Sequence, residues 1–526
     1  VRWDCWKARL VTFEHDERGA TSVIYGLCFS AVFFVAAMAI DYGLGSNEKF
    51  RQQSAIDSAT LAASHKLGAE DQDTGGPDAA RAYYNANVRE RDRGTLEAVT
   101  MNAEAGTVVA TGRSSFLTSL LNGVGISSIE IQTGSKVAKG TSTVEVALVL
   151  DNSGSMSGEL ANLKTSTKNL LSIVFAGAQG TEKVRVGLVP FAASVNVGSA
   201  YRTASWIDGA GASPLHYQNF ASQTSTRFQL LDEMGIGWGG CVEARPAPYD
   251  TTDAAPSAGT PSTLFVPMFA PDEPDEENDA GKTYNNNYLV DDAGACTPQP
   301  KTCTGGYTRR GNCRAWTKDP LTPQVAQSRT CKYMGQSKQS ATGPNLNCTT
   351  AAILPLTSTR SSVETAVDGM VASGWTNVPE GVMWGWRVLS PGAPFDEGRA
   401  EGTTGNRKIM VVMTDGENTY QTQDNHNQSM YGAFGYATAG RLGATPSAMP
   451  SQMDAKLATA CTNAKAAGIT IYTIAFRDAA TSTNIRDLLR TCASGTDKAF
   501  VATDAAGLNA AFQEIGREVS ELRVAG

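Results

Sequence analysis

Charge is scarce in this sequence: only 18% of its 526 residues are Asp, Glu, Lys or Arg, and the formal net charge is -8. No run of Lys and Arg offsets that acidic balance, which argues against a nucleic-acid partner, since phosphate binding needs a basic face. Histidine is rarer still. The four are His15, His65, His216 and His426, and their spacing fits no metal-ligand pattern. There is no CxxC pair, G-x-S-x-G elbow, Walker loop or H-E-x-x-H helix. A Ser without a partner His is not a nucleophile candidate, so the sequence predicts a protein that is not an enzyme.

Cysteine is present but unevenly placed. Cys5 and Cys28 lie before or within an apolar segment, and the other eight of the ten follow it. Zinc would require ligand spacings that are missing, so the even number predicts disulfides and an oxidising compartment. Six of them (Cys241, Cys296, Cys303, Cys313, Cys331 and Cys348) fall in a loop-rich stretch, and spacing does not choose among their pairings. Cys461 and Cys492 are expected to pair with each other. Closing that loop would contribute about 3–4 kcal/mol through chain entropy.

Long apolar runs are limited to Ser22–Ile40, SVIYGLCFSAVFFVAAMAI, 19 residues without a charge. As a helix it would be about 29 Å long, the thickness of a bilayer's hydrocarbon core. Ala36-Ala37-Met38-Ala39 imitates a signal-peptidase site. Against cleavage, helical character continues from Asn47 to Leu67. Arg2, Lys7, Arg9 and Arg18 precede the span and predict a cytoplasmic segment 1–21, a membrane helix 22–45 and everything beyond outside.

The length exceeds what one core organises, so two or more domains are expected. Residues 46–142 read as a small α+β domain. Its expected elements are a helix broken by Gly75-Gly76-Pro77, a second helix at Asp78–Glu90, and strands at Leu96–Asn102 and Gly106–Arg113. A short helix, Phe116–Leu121, capped by Ser114 and Ser115, and a strand at Ser127–Val137 complete it. From Thr143 apolar strands alternate with helices: Val144–Leu150, Val184–Phe191, Lys408–Thr414, Ile469–Phe476 and Ala499–Ala502 are the strands. Helices are expected at Glu159–Phe175, Ser361–Ala372, Pro379–Leu389, Gln452–Ala467, Asn484–Ala493 and Ala505–Leu522. That alternation predicts an α/β fold with a doubly wound, mainly parallel sheet. It would occupy 143–231 and 357–526, separated by a disulfide-rich insertion, 232–356.

Three oxygen-bearing stretches stand where such a sheet binds ligands, outside the carboxyl ends of its strands. Asp151-Asn152-Ser153-Gly154-Ser155 follows the first apolar strand, Thr414-Asp415-Gly416 ends another, and Gly374-Trp375-Thr376 leads into a helix. Carboxylates and hydroxyls around a Gly turn suit a hard cation, Mg2+, Mn2+ or Ca2+, rather than zinc. Ser373 and Thr403 are alternatives to Thr376. The simpler reading is that Asp151 and Asp415 only cap helix N-termini.

At these residues the chain resembles a von Willebrand factor A-type domain with a metal-ion-dependent adhesion site. The resemblance implies Ser153, Ser155 and Thr376 as direct ligands, Asp151 and Asp415 acting through water, and an open position for a partner's carboxylate. Asp16–Thr21, the apolar span, Asp41-Tyr42-Gly43 and Gln52–Ala63 resemble the TadG-like proteins of Flp (Tad) pilus assembly. That similarity implies a single-pass inner-membrane protein with a periplasmic outer domain and pilus or envelope proteins as partners. Gly19–Tyr25 also resembles a prepilin processing site, but Ile24 stands where Flp pilins carry a Glu. Two other functions compete: a structural periplasmic scaffold using the cation for stability alone, and a partner-presenting subunit of a motor complex.

Two further signals carry expectations. The acidic run Asp272–Asp279 reads as a solvated loop rather than a Ca2+ site. Trp384 and Trp386, two apart on a helix, are expected to place one ring in the core and one near the surface.

Overall fold

The computed structural model describes residues 20–525 apart from 67–71, 89–93, 103–106, 139–142, 177, 179–181, 339–342 and 444. Arg2, Lys7, Arg9, Arg18, Cys5, His15 and Asp16–Gly19 lie outside the described residues, as do the turn between the first two expected strands and Glu90. The chain divides into two compact units, one before Ser142 and one spanning Ser142–Val524.

In the smaller unit one unbroken helix, α1 (Ala20–Ser64), carries both the apolar stretch and the expected helix beyond it. Among the described residues it is the helix long and apolar enough to cross a membrane. Its far half presents Ala55, Ile56, Ala59 and Ala63, an apolar stripe that is flat at its three Ala positions. A second helix, α2 (Gln72–Asn87), packs there with Ala80 and Tyr84, beside an antiparallel sheet of β1 (Thr95–Asn102), β2 (Thr107–Leu117) and β3 (Ser128–Ala138).

Two expectations fail here. Gly75-Gly76-Pro77 lies inside α2 instead of breaking the chain. A Cβ at Gly76 would sit 2.1 Å from the Met101 sulfur, so close packing on β1 accommodates a weak helical sequence. Ser114 and Ser115 cap no helix. They extend β2 opposite Ile131 and Glu130, because a cross-strand ladder outweighs a local cap.

The larger unit begins with β4 (Thr143–Asp151), α3 (Leu160–Val174) and β5 (Val184–Phe191). The next elements are β6 (Val195–Asn196), α4 (Arg227–Glu233), β7 (Cys241–Val242), the hairpin β8 (Lys301–Cys303) and β9 (Trp316–Lys318), α5 (Pro323–Ser328) and β10 (Leu354–Thr357). Then come α6 (Arg360–Asp368), α7 (Val378–Leu389), β11 (Asn406–Thr414) and α8 (Met449–Ala466). The unit closes with β12 (Ile469–Phe476), α9 (Asp478–Thr481), α10 (Thr483–Cys492), β13 (Ala499–Ala502) and α11 (Ala505–Ala525).

The sheet order is β13-β12-β11-β4-β5-β6-β7, with β10 also paired to β5. Pairing is parallel from β13 to β5 and antiparallel where β6, β7 and β10 join. Successive residues of β4 feed opposite cores, which is why the strand reads as a continuous apolar run. Val144, Val146, Leu148 and Leu150 meet α3, α6 and α11, while Ala147 and Val149 meet α7 and α8. The expected doubly wound, mainly parallel α/β sheet is the observed one.

Sequence separations of 107, 35, 10 and 31 are closed by the disulfides Cys241–Cys348, Cys296–Cys331, Cys303–Cys313 and Cys461–Cys492. The Cys-rich stretch supplies β7 and β10 to the sheet, and Trp238, Phe265, Phe269 and Tyr333 to the core. It covers α7, every residue of which is buried. Both Trp384 (0% exposed) and Trp386 (7%) are therefore internal, correcting the expectation of one near the surface. A helix between two layers has no solvent face. The acidic run is corrected likewise: Asp272 and Glu273 are buried, Asp272 lying 2.7 Å from Lys332, and only Glu276 and Glu277 face solvent in the expected way.

Candidate metal centre

Chain order places the site. After β4 the sheet grows first towards β5; β11 then returns to the other side of β4 and growth continues to β12 and β13. Connections leave β4 and β11 in opposite directions, so a crevice opens at their carboxyl ends. Leu150 and Met413 are register partners, which brings Asp151 and Thr414 together across it.

The Thr414 hydroxyl donates to Asp151 Oδ2 at 2.6 Å and receives the Gly416 N–H at 3.3 Å. The Ser153 N–H donates to Asp151 Oδ1 at 2.8 Å. Both oxygens of the fully buried Asp151 are thus held by donors, and its orientation is fixed. Ser153 Oγ and Ser155 Oγ are 3.0 Å apart, and Ser155 donates to Asp415 Oδ1 at 2.8 Å. Four of the five expected residues form one connected oxygen cluster. Ser155 is exposed, so the cluster opens to solvent.

Thr376 belongs to the adjoining loop. Ser373 N–H donates to the Asn152 carbonyl and Gly154 N–H to the Gly374 carbonyl, each at 2.8 Å, tying that loop to the Ser-bearing turn. Gly374 has φ +86° and a Cβ at Gly154 would lie 3.3 Å from the Gly374 carbonyl, so both positions suit Gly. The Thr376 backbone is clamped to Thr419 by two 3.0 Å bonds, from Thr376 N–H to the Thr419 hydroxyl and from Thr419 N–H to the Thr376 carbonyl. No hydrogen bond of the Thr376 hydroxyl occurs among the described residues. Behind it, α7 is pressed onto the sheet: a Cβ on Gly385 would come within 2.4 Å of Val149. Of the alternatives, Ser373 lies in the same loop, while Thr403 precedes β11 at the far end of the sheet, roughly 30 Å away along the strand.

Electrostatics favour a positive guest. Burial and then the nearby Asp415 charge raise the Asp151 carboxyl to about 7, against the bonds from Thr414 and Ser153. Burial also raises Asp415, with the Ser155 bond and the Arg477 charge opposing. Capping alone does not account for this arrangement. Asp151, nine positions ahead of the first residue of α3, accepts from Ser153, the residue just before the short 3-10 turn Gly154–Gly158, and its other oxygen accepts from Thr414 at the end of a strand.

The supporting residues were not singled out from sequence. Thr414 enters there only as part of the strand-end Thr-Asp-Gly, with no role of its own, and Asn152 as a spacer. The Asn152 side chain donates to the Val371 carbonyl at 3.1 Å, and its buried Oδ1 has no partner among the described residues. Arg477, just beyond β12, adopts φ +48°, uncommon for a non-Gly residue, and lies 3.8 Å from Glu159. No pattern in the sequence foretells that backbone. Among the described residues no cluster of three or more His, Cys, Asp or Glu side chains forms a metal site, so hydroxyls must carry any coordination here.

No protein-family model matches the chain, and no curated protein sequence does. Solved structures do match. The von Willebrand domain of the type V pili tip protein Mfa5 from Porphyromonas gingivalis is 11% identical, with a TM-score of 0.33, covering 72% of this chain and 96% of that one. The pilus adhesin SpaC from Lactobacillus rhamnosus GG is 12% identical with a TM-score of 0.30. That match covers 82% of this chain and 35% of SpaC, so the chain spans about a third of its length. Proximal thread matrix protein 1 from the mussel byssus, whose MIDAS motif holds zinc, is 12% identical with a TM-score of 0.28, covering 72% of this chain and 48% of that one.

Proposed function

We propose that the larger unit binds one divalent cation, Mg2+, Mn2+ or Ca2+, and through it captures a carboxylate of a protein partner. Ser153, Ser155 and Thr376 would hold the cation directly, with Asp151 and Asp415 acting through water. The observation that carries this reading is the connected oxygen cluster Asp151–Ser153–Ser155–Asp415 at the switch point of the sheet. Hydroxyl and carboxylate oxygens are the ligands hard cations take. Asp151 has both oxygens occupied by donors, which suits an orienting role better than direct coordination. A cation held mainly by neutral hydroxyls stays electrophilic towards an incoming carboxylate. The residues of this chain position it, and the exposed Ser155 leaves the approach open.

The resemblance of the amino-terminal part to TadG-like proteins, together with α1, supports a membrane-anchored pilus assembly or adhesion protein whose larger unit faces the periplasm. Four disulfides fit that compartment. Calorimetric titration with Mg2+ and Mn2+ tests the site: binding is expected in the native protein and weakened on the order of a hundredfold in Asp151→Ala. Unchanged binding in that variant rejects it. A pull-down from envelope extracts with and without chelator tests the capture step, and a scaffold using the cation for stability alone would retain its partners in chelator.

A further inference from the structure

Between Ser114 and Ile129 the sequence holds no charged residue. In the smaller unit this stretch ends β2, turns through a 3-10 segment at Leu121–Val124 and begins β3. The connection is well braced. Thr118 N–H donates to the Ser127 carbonyl and Ile126 N–H to the Leu121 carbonyl, each at 3.2 Å. Yet its apolar side chains point outward: Leu117 is 57% exposed, Leu120 39%, Ile126 47% and Ile129 37%. A braced loop that shows four large apolar groups to water calls for a covering surface.

The position of the loop along α1 identifies that surface. Asp41, the residue directly after the apolar stretch, is fully buried and accepts the N–H groups of Ser119, Leu120 and Leu121 at 3.0, 3.0 and 2.7 Å. A Cβ on Gly45 would touch Phe116 at 3.6 Å, and one on Gly112 would meet Ile56. β2 therefore descends along α1 towards the apolar stretch, and the loop ends level with its boundary. Tyr42 (78% exposed) and Leu44 (46%) stand on α1 at the same height.

We propose that the β2–β3 loop is a second membrane contact, a wedge whose Leu117, Leu120, Ile126 and Ile129 enter the bilayer's interfacial region beside α1. The proposal rests on reading α1 as a membrane span. Its chemistry is that of a lipid surface: an uncharged stretch whose N–H groups are met by Asp41 and by its own carbonyls, aliphatic side chains outward and Tyr42 at the headgroup level. Two contacts with one bilayer restrain the smaller unit about the helix axis, as a single span does not.

The test uses the full chain in nanodiscs, with Cys5→Ser and Cys28→Ser to leave only the cysteines of the four disulfides, and an environment-sensitive fluorophore at Leu120→Cys or Ile126→Cys. Phe34→Cys reports on the span, and Ala98→Cys, on β1 roughly 20 Å from the loop, is the dry control. Emission at 120 and 126 should be blue-shifted, and lipids carrying a shallow spin label should quench about half of it and none at 98, while lipids labelled deep in the acyl chain should quench 34. Quenching at 34 without quenching at 120 and 126 overturns the wedge and leaves the span intact. A blue shift at 120 and 126 that spin-labelled lipid leaves unquenched means a protein covers the loop, which also overturns it. No quenching at 34 removes the membrane reading, and the wedge with it.

Discussion

Around the Cys-rich stretch, Glu243 lies against Arg227 and 2.7 Å from Arg441, and Asp272 lies 2.7 Å from Lys332. At the carboxyl ends of β4 and β11, Asp151 and Asp415 are as deeply buried, but no base forms an ion pair with either among the described residues. The consequences diverge. Against the cost of burial, Arg227 and Arg441 together draw Glu243 below the usual Glu range; burial raises Asp272 to about 6 even with Lys332 opposing, and Asp151, with no paired base, to about 7. In the first region the fold supplies its own counter-charge and the charge serves structure. In the second it supplies hydroxyls and the more distant Arg477 charge in place of a paired base, which is the gap the proposed cation would fill.

The sharpest way to break this comparison is Arg227→Leu. Leaving Glu243 buried with Arg441 alone should cost about 3–5 kcal/mol in denaturant unfolding, and a loss under about 1 kcal/mol would erase the distinction. The same pair sets an acid limit. The folded-state value of Glu243 lies below the ordinary 4.5, so its contribution is complete above that pH and is lost as pH falls through the depressed value. Melting temperature should therefore drop below pH about 4.5 in native protein, and less in Arg227→Leu.

Next in size is the covalent link behind the parallel strands. Cys461→Ser with Cys492→Ser opens a loop of 31 residues and should cost about 3–4 kcal/mol, with cation affinity unchanged if the site depends on strand ends alone. At the site the balance reverses. Asp151→Ala should weaken Mg2+ or Mn2+ binding on the order of a hundredfold while leaving cation-free stability equal or higher, since it removes an unmatched charge. A cation-free loss as large as that of Arg227→Leu would make Asp151 structural. Smallest is Ser155→Ala, about tenfold in affinity by titration, because water can replace one exposed hydroxyl.

Much of this was readable because buried parallel strands announce themselves. β5, β12 and β13 begin and end where the apolar runs do, and the pairing of Cys461 with Cys492 follows from their place outside the Cys-rich stretch. The candidate oxygen-bearing residues could be named because ligands gather at strand ends in such sheets. Where expectation failed, a distant neighbour had decided. Asp272 is buried because Lys332, sixty positions on in sequence, reaches it. Trp386 is buried because the Cys-rich stretch roofs α7. Gly76 stays helical because Met101 packs over it.

The sequence by itself determined the alternation of strands and helices, the span-length apolar run and which oxygen-bearing residues are candidates for the proposed centre. These depend on local periodicity and side-chain chemistry. Only the tertiary structure decided which acids keep a base beside them, how Thr414 and Asn152 brace the candidate centre, and that an uncharged loop stands level with Asp41. Each of those rests on contacts between residues far apart along the chain, and burial, which fixes the cost of a charge, does not exist until the layers close.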